Sequence, residues 1–114
     1  IGGFGAAVPV AINRYWVDWF WSTQFIVVFK PLFHKILDYN FKDTDTADGV
    51  LSILAKDKMT MYPFISVQID FGYSDVTRTN NDIVDLVDKL FKQSQHRLST
   101  IHNVTHRFRK KEIR

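Results

Sequence analysis

His102 and His106 stand four residues apart, a spacing that puts two imidazoles on one face of a helix, as a zinc site requires. The rest of such a site is missing. Glu112 is the one acid nearby and His96 falls more than a turn out of register. No Glu beside His102 completes the metalloprotease pattern. The pair therefore reads as two exposed histidines on a basic helix.

The other chemical candidates are weaker. Asp43, Asp45 and Asp48 begin like an oxygen-ligand calcium loop, but the spacing fails and no terminal Glu follows. Asp70 and Asp75 have no base near them in sequence, and Gly2, Gly3 and Gly5 follow no strand, so they make no phosphate loop. Asn103-Val104-Thr105 matches a glycosylation acceptor but sits inside a helical pattern. The chain has no Cys, which excludes disulfides, thiolate catalysis and cysteine-ligated metals. No enzymatic activity, cofactor or metal is expected.

Charge is more informative. The net charge is +3, yet from Lys89 onward eight cationic residues face the single Glu112, +7 in that stretch and −4 before it. Arg107, Arg109, Lys110 and Lys111 crowd the end. They suit anionic lipid headgroups or an acidic partner. Nucleic acid is disfavoured because Phe108 alone supplies an aromatic for base stacking there.

Three elements must carry these features. All three tryptophans lie in Tyr15-Trp16-Val17-Asp18-Trp19-Phe20-Trp21, which runs on to Phe25-Ile26-Val27-Val28-Phe29 and stops at Lys30-Pro31. Rings with an apolar body and a polar tip favour a membrane boundary or a partner interface. With Pro9 in a first turn, an uninterrupted helix is expected from there to Phe29, with Arg14 and Asp18 paired four apart. Asp18 and Ser22 to Gln24 make unaided insertion into lipid marginal, so one face would meet lipid and the other protein. The alternative is a buried helix or strand of a soluble domain, with the aromatics as core. Beyond Pro31, residues 32–37 continue as a short amphipathic piece.

After a polar linker, Thr46 caps a short helix with apolar positions Ala47, Val50, Leu51 and Leu54. Ile65, Val67, Ile69, Phe71 and Tyr73 alternate with polar residues or Gly, the period of a strand beginning after Pro63. A turn-rich stretch leads to Asn80 or Asn81 as cap of the last helix. There Ile83, Leu86, Val87, Leu90 and Phe91 form an apolar stripe, continued by Leu98, Ile101, Val104 or Thr105, and Phe108. No Gly or Pro interrupts residues 81–114. A helix of roughly 30 residues, about 45 Å long, would outreach the core of so small a chain.

The expected fold is α+β and mostly helical: an N-terminal aromatic membrane-contacting helix, a short strand and a long C-terminal amphipathic basic helix. Residues 1–38 form the membrane- or partner-contacting segment and 39–114 the small α+β element. Trp16, Trp19, Trp21, Phe25 and Phe29 are the expected anchors. Ile83, Leu86, Val87, Leu90 and Phe91 are expected to dock a partner, and Arg107, Arg109, Lys110 and Lys111 to meet an anionic surface. The start at Ile1, absent Cys and basic end suggest a processed, non-catalytic accessory subunit of a mitochondrial inner-membrane assembly, of the respiratory chain or ATP synthase. The second reading is a structural module of an organellar ribonucleoprotein such as a mitochondrial ribosome. Replacing Trp16, Trp19 and Trp21 together is expected to release the subunit from its assembly, read by co-purification.

Overall fold

The computed structural model describes residues 1–22, 24–69 and 82–112. Among them are five short strands and three α-helices. Gly3–Phe4 (β1) pairs with Phe20–Trp21 (β4), while Ala7–Pro9 (β2), Arg14–Val17 (β3) and Lys58–Met61 (β5) form a second antiparallel sheet in the order β2-β3-β5. A 3₁₀ turn at Lys30–Leu32 leads into helix α1, Phe33–Leu37. Helix α2 spans Ala47–Leu54 and the long helix α3 spans Leu86–Glu112.

The expected N-terminal helix is not there. The aromatic run is β3 and β4, and no described helix is long and apolar enough to cross a membrane. The reason lies in the run itself. Tyr15 and Val17 are buried, Trp16 is half-buried and Arg14 is exposed, a period of two that aromatic and β-branched residues favour. Arg14 and Asp18 would meet on a helix but are carried apart by a strand. Asp18 instead turns its Oδ1 to backbone N–H groups of Gly5 (3.1 Å), Ala6 (2.8 Å) and Trp19 (2.8 Å). Pro9 lies opposite Tyr15, one residue from the Val10 N–H bond to Arg14. In an alternating ladder that position requires no N–H toward β3.

The strand expected from Ile65 is also displaced. Residues 65–69 form no strand, and Ile65, Val67 and Ile69 are exposed. Phe71 and Tyr73, like Asp70, Asp75 and the caps Asn80 and Asn81, lie outside the described residues. The position beside β3 is taken by Lys58–Met61, in register from Val17↔Lys58 to Arg14↔Met61. This pairing joins the segments before and after residue 38.

Two helices follow their sequence patterns. The Thr46 hydroxyl accepts the Gly49 N–H at 3.3 Å, capping α2. Helix α3 starts at Leu86 after Asp85, whose φ of 56° is in the left-handed region. It buries Val87, Phe91, Ser94 and Leu98 along one stripe and packs on β1 and β2. Leu98 is fully buried against Phe4, Tyr15 and Val17, the centre of the core.

Helix α2 closes the second edge of β4 without being a strand. The Phe20 N–H donates to Ser52 Oγ (2.9 Å) and the Ser22 N–H to Asp48 Oδ2 (2.7 Å). Four helical residues rise about 6 Å and two strand residues about 6.6 Å, so an i, i+4 pair of side chains matches an i, i+2 pair of strand donors. Ser52→Ala leaves the Phe20 N–H unpartnered and is expected to lower stability by about 1–2 kcal/mol in denaturant melts. Ser94, buried without a partner for its hydroxyl, behaves oppositely: Ser94→Ala is expected to raise stability by about 1 kcal/mol.

Candidate functional site

An apolar groove of about 610 Å³ opens on the surface. One wall is the extended segment from Phe25 to Phe29, which follows β4 and stops at the 3₁₀ turn that Pro31 enforces. The facing wall is β5, continued by Phe64 and Ile65, with Phe20 and Leu51 behind. Gln24 fixes the first wall to the second, its Nε2 donating to the Ser66 carbonyl at 2.9 Å. The groove is open and greasy at once: Phe25, Val27 and Phe29 are 62%, 63% and 74% exposed. Met59, Met61 and Ile65 are exposed on the other side. Pockets of this size and lining hold apolar ligands or partner segments.

Polar groups lie where the walls meet. Ser22 and Gln24 are within the lining, and among the described residues Lys35, Lys56 and Lys58 are accompanied there by a single acid, Asp57. Lys58 turns its Nζ back onto the Ala55 carbonyl. Below Ser22, partial burial pushes the Asp48 carboxyl up. Donors from the Ser22 N–H, the Thr46 hydroxyl and the Gly49 N–H outweigh this and hold it below the ordinary carboxylate value. Asp18 follows the same pattern: removal from water raises it, and the N–H groups of Ala6, Trp19 and Gly5 together bring it below.

A second cluster joins β3 to α3, running from buried Tyr15 to exposed His106. The Tyr15 hydroxyl and His102 Nδ1 share a hydrogen bond of 2.7 Å, the Tyr62 ring lies 5.0 Å from His102, and His106 stacks on His102 at 5.6 Å. Burial pushes the Tyr15 phenol up, opposed by the charge of Arg109 and aided by Tyr62. His102 is thus half-buried rather than free on a helix surface. Its neighbour in role is Arg97, which donates to the Phe4 carbonyl (2.7 Å) and the Gly5 carbonyl (2.6 Å) while its guanidinium lies 4.2 Å from the Phe4 ring centroid. Both tie α3 to the N-terminal strands. Among the described residues no three metal-ligating side chains gather.

No protein-family model, curated protein or solved structure matches this chain.

The expected anchors divide. Phe25 and Phe29 line the groove, and Trp19 is 44% exposed. Trp16 and Trp21 are half-buried within the chain. The Trp21 indole lies over Gly2 and Gly3, where any Cβ would collide with it, so the triple tryptophan replacement also disturbs β1. Of the expected docking stripe, Val87 and Phe91 are buried in the chain's own core, Leu86 and Leu90 are half-buried, and Ile83 is 46% exposed. Arg107 and Arg109 are exposed near the helix end. The side chains of Lys110 and Lys111 lie outside the described residues. Met59, Met61, Lys35 and Gln24 were not singled out by sequence. For Met59 and Met61 the one signal is the short alternation Lys58-Met59-Thr60-Met61, hidden by its brevity beside the longer alternation after Pro63.

Acid titration checks the two carboxylates. Their folded pKa values lie below the unfolded ones, so the unfolded chain binds more protons and stability rises with pH through that window. The contribution is present above about pH 4 and lost as pH falls through the lowered values. Asp48→Asn is expected to flatten the acid limb of a stability–pH curve measured by denaturant melts. An unchanged limb would contradict this.

Proposed function

We propose that this chain is a non-catalytic accessory subunit, held in a larger protein assembly by the apolar groove, with a mitochondrial inner-membrane complex as its setting. The observation that carries the docking role is the exposure of Phe25, Val27 and Phe29. This is the most apolar stretch of the chain, and the fold leaves it outside while building its core elsewhere. A segment of that kind requires cover.

Protein is a better cover than lipid. The Phe25–Phe29 backbone is neither helix nor strand, so hydrocarbon would strand its N–H and C=O groups at several kcal/mol each. A partner chain can answer them. The setting rests on the sequence: absent Cys and a cationic end suited to an anionic surface. The exposed Arg107 and Arg109 are the described residues that could serve such a contact.

Tagged full-length chain run on native gels from intact organelles tests this reading. The wild type is expected in a high-mass complex and to leave the membrane on carbonate washing, since protein contacts and not a spanning helix hold it. The double variant Phe25→Ser, Phe29→Ser is expected to leave the complex by about 100-fold, from the lost burial of two phenylalanines. Its melting temperature should stay near that of the wild type because both side chains are already exposed. Migration of the wild type as a free monomer would overturn the proposal.

A further inference from the structure

On the docking reading just given, we infer that the groove takes an extended segment of a partner protein as an added strand along β5, and that acidic residues flank this segment. The first ground is register. The Tyr62 N–H donates to the Asn13 carbonyl at 3.0 Å, in line with the ladder in which Thr60 faces Tyr15 and Lys58 faces Val17. Antiparallel pairs alternate between hydrogen-bonded and open. Lys58, Thr60 and Tyr62 therefore turn their backbone groups to β3, while Met59 and Met61 turn theirs outward. No described strand lies on that side.

The second ground is how the groove is lined. Lys58, Met59, Thr60 and Met61 all border it. The face of a strand presents only every second residue, so four in succession mean that the groove runs along the edge. The facing wall is likewise lined by five residues in succession, from Phe25 to Phe29. A strand placed between them would meet backbone on one side and apolar side chains on both, the arrangement of strand-addition recognition.

The third ground is charge and guarding. Proteins blunt exposed edges with lysines, prolines or a covering element. At the far edge of the same sheet Pro9 stands in β2 and α3 packs across it. In β5 the one lysine is Lys58, and its Nζ is bound back to Ala55, so among the described residues nothing guards the edge. Lys35 and Lys56 are in the lining with, among the described residues, only Asp57 opposing them, and a strand carrying carboxylates at its ends complements them.

The test uses the full chain and a labelled heptapeptide alternating valine and threonine, with glutamate at each end, read by fluorescence anisotropy. Saturable binding is expected, weakened about tenfold when lysines replace the terminal glutamates at low salt. Met59→Pro removes an outward N–H that the β3 ladder does not use, and is expected to bind about tenfold more weakly than the similarly sized Met59→Ala. Should the proline variant not fold, N-methylation of the peptide on the wild-type chain gives the same reading: binding falls at every second position and not at those between. No saturable binding, or loss without that period of two, overturns the inference. A dimer of the chain abolished by Met59→Pro would assign the edge to a second copy and also overturn it. If Phe25→Ser, Phe29→Ser empties the assembly while Met59→Pro does not, strand addition fails and the accessory-subunit reading stands. A wild-type monomer in organelles that still binds the peptide gives the reverse.

Discussion

A buried phenol needs a hydrogen-bond partner, and Tyr15 finds its partner 87 residues away in His102. That bond, with Val17 and Phe4 packed on Leu98, makes one body of a small sheet and a long helix. Helix α3 is too polar over much of its length to be held by propensity alone, and helices gain most of their stability by docking an apolar face. Its docking face is narrow: Val87, Phe91, Ser94 and Leu98, then the polar link through His102. Arg97 fastens the same helix to the carbonyls of Phe4 and Gly5. The sheet in turn is organised around β3, which pairs on both edges and places Tyr15 where the helix can reach it.

What sequence revealed depended on whether a pattern was local. The capped α2 and the stripe of α3 were legible because caps and helical stripes depend on residues three or four apart. The N-terminal run differs from its expected helix because its richness in apolar residues conceals the burial of Tyr15 and Val17 against Arg14 and Trp16, the period of a strand. Alternation after Pro63 misled in the opposite way. A strand needs a neighbour, and β3 had already taken Lys58–Met61, which no periodicity could announce from four residues. The tie between Tyr15 and His102 was invisible for the same reason: each half is ordinary, and only the fold brings them together. Of the groove, Phe25 and Phe29 were foreseen as contact residues, but its second wall was not.

Apolar content is divided unevenly between inside and outside. Among the described residues seven hydrophobic side chains are buried, while Val8, Met59 and Met61 on the sheet and Phe25, Ile26, Val27 and Phe29 beside it stay in contact with water. The radius of gyration, 16.1 Å, exceeds the roughly 13 Å of a compact domain of this length. An open body with a small core has little stability in reserve. Its surface is therefore not incidental to its stability, because whatever covers the groove also adds to the apolar area that holds the fold.

The way α2 closes β4 bears on how copies of the chain could associate through their sheet edges. Ser52 and Asp48 satisfy the free edge of β4 from within, and α3 with Pro9 protects that of β2, whereas among the described residues the outer edge of β5 has no such cover. On the docking reading proposed above, copies made in excess of a partner would share that edge, and matched supply or proteolysis of the surplus would limit their association.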